Sequence, residues 1–135
     1  MKVLLSIKPE YVERMFNGTK KFEYRKILFK NPDVKTVVIY ATKPVGMIVG
    51  EFEIGNILVG TPANIWDKTK KFSGVKEVFF DEYFNNRKKA VAIEVTSLKK
   101  YRKPICPFAK LTNFTAPQSF MYITKEISNQ IKGAM

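Results

Sequence analysis

Between residues 17 and 26 the chain reads NGTKKFEYRK, in which lysines, an arginine and two aromatic rings surround a single acid, Glu23. An arginine and a lysine beside one glutamate orient one another. The cations can then take a phosphate, Arg25 in bidentate fashion and a lysine as a point charge, while Glu23 can accept from a base amino group. Strict alternation puts Lys21, Glu23 and Arg25 on one strand face and Phe22 and Tyr24 on the other. Lys20 sits where a turn meets the strand, and a twist or bulge there can turn its side chain inward. The competing reading is an edge strand kept soluble by lysines, with Glu23 in ordinary cross-strand ion pairs worth less than about 1 kcal/mol.

The residues that are missing narrow the chemistry further. The chain has no histidine and one cysteine, Cys106. It therefore lacks the ligand sets of zinc, copper and non-haem iron sites, and Ser-His and Cys-His nucleophilic pairs are excluded. No cofactor and no transition metal are expected. Acid or base chemistry would have to run on carboxylate, lysine, tyrosine or water. If the protein is an enzyme, Lys20 and Glu23 are its catalytic candidates, since a buried lysine near Arg25 has its pKa lowered toward the working range.

Other positions can add to a binding site. Ser6 and Lys8 flank the start of the first predicted helix, where free backbone N–H groups and a hydroxyl can hold an anion. Tyr40 and Thr42 close a predicted strand, where a barrel mouth can bring them to a base, although a tyrosine there also suits a core. Gln118 and Ser119 form a polar tip above apolar Phe120 to Ile123. In KKYRK, Tyr101 can stack on an unpaired base while Lys99, Lys100, Arg102 and Lys103 follow phosphates; solvated surface is the alternative. Trp66 and the cluster Phe79, Phe80, Tyr83 and Phe84 read as helix packing residues, with a specificity insert as the alternative for the cluster.

Charge suggests the partner. The 24 Lys and Arg against 12 Asp and Glu leave +12 and a pI near 9.8. Such a chain attracts polyanions, most often nucleic acid, unless lysine serves here only as a solubilising residue. RNA or a nucleotide is the expected partner. The apolar run in MKVLLSIKPE is too short for a signal peptide or a membrane span, and the lone cysteine suits a reducing compartment, so a cytoplasmic location is expected and a membrane is not.

The elements that would position these residues follow from period and punctuation. KVLLSI (2–7) predicts a buried strand. PEYVERMFNG predicts a short helix with Pro9 in its first turn, Asn17-Gly18 as its stop, and Glu10, Glu13 and Arg14 toward water. KKFEYRKILF, KTVVIYAT (35–42) and the glycine-punctuated VGMIVGEFEIGNILVG predict three more strands, the last of them strongly curved. Thr61 and Pro62 open a second helix, SGVKEVFFDEYFNN suggests a third, KAVAIEVTSLKKY (89–101) a long strand, and the C-terminal stretch a short strand and a helix. The length of 135 residues fits one core. The expected class is α+β, a small mixed β-barrel with short helices packed over its ends.

The segment LLSIKPEYVERMFNGTKKFEYRK resembles the N-terminal signature of ASCH domains, a branch of the PUA-like superfamily marked by Gly-x-Lys-x-x-Glu-x-Arg. Gly18, Lys20, Glu23 and Arg25 fill that pattern. VVIYAT, VGEFEIG and TAPQSFMYI resemble later parts of the family, whereas residues 60–88 carry nothing diagnostic of it. The resemblance implies one ASCH, PUA-like β-barrel domain over residues 1–135, with a cleft beside the first helix and RNA or a nucleotide derivative as ligand. It also favours Lys20 over Lys21 as the lysine of the cleft, leaving Lys21 as an outer phosphate contact. Some members are similar to hydrolases, among them acetylcytidine amidohydrolases that use the motif lysine, a threonine three residues on and a distant glutamate with no assigned counterpart here, and a ribonuclease. This chain carries Glu23 at the threonine position, which counts against amidohydrolysis while leaving the pocket.

Overall fold

The computed structural model describes residues 1–111 and 113–134. Its elements in order are β1 (Lys2–Ile7), α1 (Pro9–Phe16), β2 (Phe22–Arg25), β3 (Thr36–Ala41), β4 (Met47–Gly60), α2 (Pro62–Thr69), α3 (Glu77–Tyr83), β5 (Ala90–Ile105), α4 (Pro107–Lys110), β6 (Phe120–Ile123) and α5 (Lys125–Ala134). A 3-10 turn, Lys70–Phe72, joins α2 to the segment before α3. The predicted elements are present. The helix α4 and the 3-10 turn were not anticipated, and β2 stops at Arg25, well short of the predicted strand.

The strands form one sheet in the order β2-β5-β4-β3-β1-β6. Among the described strands only the β1–β3 pair is parallel. Alternation decides where the side chains go. Val3, Leu5 and Ile7 of β1, with Val37 and Ile39 of β3, enter one apolar cluster; Leu4, Val38 and Tyr40 enter another on the opposite face. Both faces are covered, so these strands read as continuous apolar runs. The first cluster fills the concave interior, where Val12 and Met15 of α1 reach it; α4 and α5 lie over the second, and α2 and α3 cover a third built on Tyr24, Ala90 and Ala92 of β2 and β5.

Curvature comes from irregular pairing between β4 and β5, whose register shifts between Ile48 and Gly50, between Glu51 and Glu53, and between Ile54 and Ile57. Gly50 sits at one such point, where any Cβ would strike the Lys99 carbonyl. The curl does not finish: β2 and β6 remain free edges, so the expected α+β class with short helices holds while the barrel is a loose one, an open, strongly curved sheet. Arg25 bridges the gap between the ends. Its guanidinium donates from NH2 to the Ser6 carbonyl at 2.8 Å and from NH1 to the Ser119 carbonyl at 3.2 Å. β6 pairs with β1 only from Lys2 to Leu5, so the Ser6 carbonyl lies beyond the ladder and is available to this side chain.

Candidate functional site

The motif sits beside that opening. Antiparallel pairing of β2 with β5 places Glu23 opposite Ile93 and Arg25 opposite Val91, so the acid and the arginine share one face. Glu23 Oε2 lies 2.9 Å from Arg25 NH2, and its Oε1 lies 4.0 Å from Lys20 Nζ. Lys20 is only 2% exposed and Glu23 7%. Three ionised groups are thus held out of water, an arrangement that persists only where the charges compensate and their hydrogen bonds are met.

Lys20 reaches the interior through an isolated backbone bridge to Ser73, and its Nζ donates to the Ser73 carbonyl at 2.8 Å. Gly74 makes this fit: its φ is +66°, and a Cβ there would collide with the stem of Lys20. Arg14 steadies the same loop by donating to the Gly74 carbonyl at 2.7 Å, so it does not point to water as expected. The ammonium lies over two rings, 4.8 Å from the centroid of Tyr24 and 5.5 Å from that of Tyr11. Burial lowers the Lys20 pKa to about 8; Glu23 pulls it back up, and Arg14 and Arg25 lower it further. Burial therefore outweighs the carboxylate. Arg25 keeps one buried donor, Nε, that has no hydrogen-bond partner among the described residues.

These groups line a cavity of about 120 Å³, together with Ser6, Lys8 and Tyr11 on one side and Val75, Phe79, Phe80 and Tyr83 on the other. The rings of Phe79 and Tyr83, one helical turn apart, lie within 13° of parallel. Lys8 Nζ sits 5.3 Å from the Phe79 centroid and Lys26 Nζ 4.6 Å from that of Tyr83. The wall opposite the motif is therefore α3, within the stretch 60–88 that carried no recognisable pattern. Its sequence held a signal: four aromatic residues within 79–84 are more than one face of a short helix can bury. Phe80 and Phe84 are core, whereas Phe79 and Tyr83 are half-buried and face the cavity. Tyr11, Arg14 and Gly74 were likewise not singled out from the sequence.

The remaining candidates divide. Lys21 is exposed, with its Nζ 4.3 Å from the centroid of the Phe72 ring, outside the cavity. Lys8 is exposed at the cavity mouth. The Ser6 hydroxyl donates to the Pro117 carbonyl at 2.7 Å, so its proton is committed to the fold rather than to an anion. Ser119 contributes its backbone carbonyl to Arg25, and Gln118 is exposed. Tyr40 and Thr42 are not brought to this cavity. They line a separate groove, with Tyr40 buried against Phe114 at a centroid distance of 5.6 Å. Lys99, Lys100, Arg102 and Lys103 are exposed, but Tyr101 is not. Its ring is 4% exposed in the core and its hydroxyl donates to Glu51 Oε1 at 2.7 Å, so it offers no face to a base.

The family model that matches this chain is the ASCH domain, over residues 5–99. The chain belongs to the ASCH domain family. The match runs from within β1 to most of the way along β5, hence over the motif, α3 and the stretch 60–88 that carried nothing diagnostic, while the resemblance in TAPQSFMYI falls outside it. The ASCH chain is 33% identical over 124 residues to the ATP synthase subunit alpha of Ureaplasma parvum serovar 3, covering 90% of this chain and 15% of that protein. It is 26% identical over 124 residues to the large ribosomal subunit protein uL22 of the same organism, covering 39% of that protein. An ASCH domain-containing ribonuclease of Zymomonas mobilis is 25% identical over 134 residues, which are 95% of this chain and 88% of that protein. The crystal structure of ASCH from Zymomonas mobilis superposes with a TM-score of 0.89 at 25% identity, covering 98% of this chain and 94% of that one. Among the described residues of this ASCH domain no helix is long and apolar enough to cross a membrane, and no group of three or more His, Cys, Asp or Glu could hold a metal ion.

Proposed function

We propose that this ASCH domain binds RNA, or a nucleotide derivative, by taking one base into the cavity between β2 and α3. The observation that carries this reading is the buried set Lys20, Glu23 and Arg25 facing a ring-lined space of about 120 Å³. That space suits a flat heterocycle, with sugar and phosphate left outside near Lys8 and Lys26. Phe79, Tyr83 and Tyr11 supply π-faces. Glu23 accepts from an exocyclic amino group, and the free Nε of Arg25 or a second proton of Lys20 donates to the adjoining ring nitrogen or carbonyl. Cytosine and adenine present that pattern on their pairing edge and uracil does not. The charge of +12 adds a sequence-independent attraction for phosphates. The named activity of the Zymomonas mobilis relative agrees with an RNA-related ligand.

Calorimetric titration with CMP, AMP and UMP tests the reading. The wild type is expected to prefer CMP or AMP over UMP, and Glu23→Gln to lose that preference while still melting cooperatively. A wild-type protein that binds none of the three would refute it. A hydrolytic role is the second reading, favoured by the lowering of the Lys20 pKa to about 8, which leaves a small neutral fraction near pH 7. Lys20 would then take the proton of an attacking water or ribose hydroxyl while Arg25 and Lys8 meet the developing negative charge. Incubation with single-stranded RNA and with acetylated cytidine is expected to give product that Lys20→Met abolishes. No product from either substrate leaves binding alone.

A further inference from the structure

Beyond the cavity, along the same end of the sheet, lies a groove of about 430 Å³ lined by Tyr40, Thr42, Lys43, Phe108, Phe114 and Thr115. Phe108 is 47% exposed and is the only exposed aromatic residue among those described. It is held, not loose: its ring meets Phe114 edge-on at 5.1 Å and Tyr40 at 6.3 Å, and the neighbouring Pro107 is buried. Lys43 Nζ lies 5.7 Å from its centroid. We propose that Phe108 and Lys43 form a second base-binding subsite, which takes another unpaired nucleotide of the same RNA strand whose first base enters the cavity.

Three observations join the two places. β1 and β3 run parallel and end together, with the Thr42 N–H donating to the Ile7 carbonyl at 3.0 Å. Ser6, on the cavity wall, donates to Pro117, and the chain from Pro117 back to Phe114 spans no more than about 10 Å. The charge is mostly of one sign: residues 95–125 contain Lys99, Lys100, Arg102, Lys103, Lys110 and Lys125 and no acid, residues 34–50 contain Lys35 and Lys43 and no acid, and the acids that follow these stretches are Glu51, which is bonded to Tyr101, and Glu126. A lone exposed ring topped by a cation, in a groove whose own lining holds no carboxylate, suits a base and its phosphates. An apolar helix or a lipid surface would need a stripe of apolar side chains. An exposed phenylalanine is also the group on which a base stacks without regard to sequence.

The subsite rests on the reading of the cavity, and the test separates the two. Affinities for CMP and for an oligocytidylate of about eight nucleotides, a length typical of single-strand sites, are measured for wild type, Phe108→Ala, Phe108→Trp, Lys43→Ala and Glu23→Gln, each checked by thermal melt. Phe108→Ala is expected to weaken the oligonucleotide by about 5- to 150-fold, the range for one lost base–aromatic stack, with CMP unchanged. Phe108→Trp should restore it, Lys43→Ala should weaken the oligonucleotide alone, and Glu23→Gln should weaken both ligands. An oligonucleotide affinity unmoved by Phe108→Ala overturns the subsite and leaves the cavity reading intact. Loss of CMP binding in Phe108→Ala overturns the subsite as a separate place. Ligands indifferent to Glu23→Gln overturn the cavity reading, and with it the subsite as an extension of that cavity.

Discussion

Replacing Lys20 by methionine tests whether the site is as dry as its geometry implies. The amine is 2% exposed, and its pKa is lowered from 10.5 to about 8, with burial the largest cause. Because the folded value lies below the unfolded one, the unfolded chain binds more protons between about pH 8 and 10.5, and stability rises with pH across that window. Below about pH 8 the folded protein bears the full cost of a desolvated ammonium. That cost fades as pH approaches the unfolded value. From about pH 7 to about pH 10 the linkage amounts to about 2.5 kcal/mol. Methionine fills similar space without a titrating group, so subtracting its stability removes the contribution of every other ionisable side chain. Tyr24, which also faces the amine, is pushed up to about 12, outside the window. Urea unfolding of both proteins at a series of pH values is expected to show the wild type gaining about 2.5 kcal/mol on the variant, with the rise centred above pH 8. A difference that stays flat over this range would mean that the amine is hydrated, and the reasoning that makes the cavity a desolvated site would be refuted.

Gly74→Ala should lower stability by at least about 1 to 2 kcal/mol for a positive φ of +66°, and by more as its Cβ displaces the Lys20 stem; urea melts and CMP titration should both register it. Converting Lys99, Lys100 and Arg102 together to alanine should weaken RNA binding at all sequences and reduce the salt slope by roughly 0.7 for each lost contact to a single strand, read from affinities across a salt series. Tyr101→Phe should cost about 1.5 to 3 kcal/mol in unfolding free energy by removing the 2.7 Å bond to Glu51, while leaving RNA affinity unchanged. Folded Tyr101→Leu, which removes the ring itself, should also keep its RNA affinity, and a loss there would restore the stacking role that burial denies.

Much of the architecture was legible because it depends on near neighbours. The unbroken apolar runs of β1 and β3 announced strands covered on both faces, and the structure divides their alternate side chains between two clusters. Thr61 and Pro62 announced a helix start, and the Thr61 hydroxyl accepts from the Asn64 N–H at 3.2 Å. The short spacing of Lys20, Glu23 and Arg25 marked them as a group. What the sequence left open was set by partners far along the chain. A period of two favours Lys21 over Lys20; the choice is made by a backbone bridge to Ser73, 53 residues later, and by the missing Cβ of Gly74. Phe79 and Tyr83 stay half-buried at the cavity, while Phe80, which also borders it, and Phe84 are buried in the core, because β2 and β5 can cover only one side of α3. Tyr101 lies among lysines in sequence and is buried in space, since Glu51 on the adjoining strand receives its hydroxyl. The sheet's failure to close, with Arg25 spanning the gap, is a property of accumulated twist and register shifts. Local pattern fixes which face of a strand or helix is apolar; which of two polar or aromatic neighbours is desolvated depends on what packs against it, and that is decided only when distant segments meet.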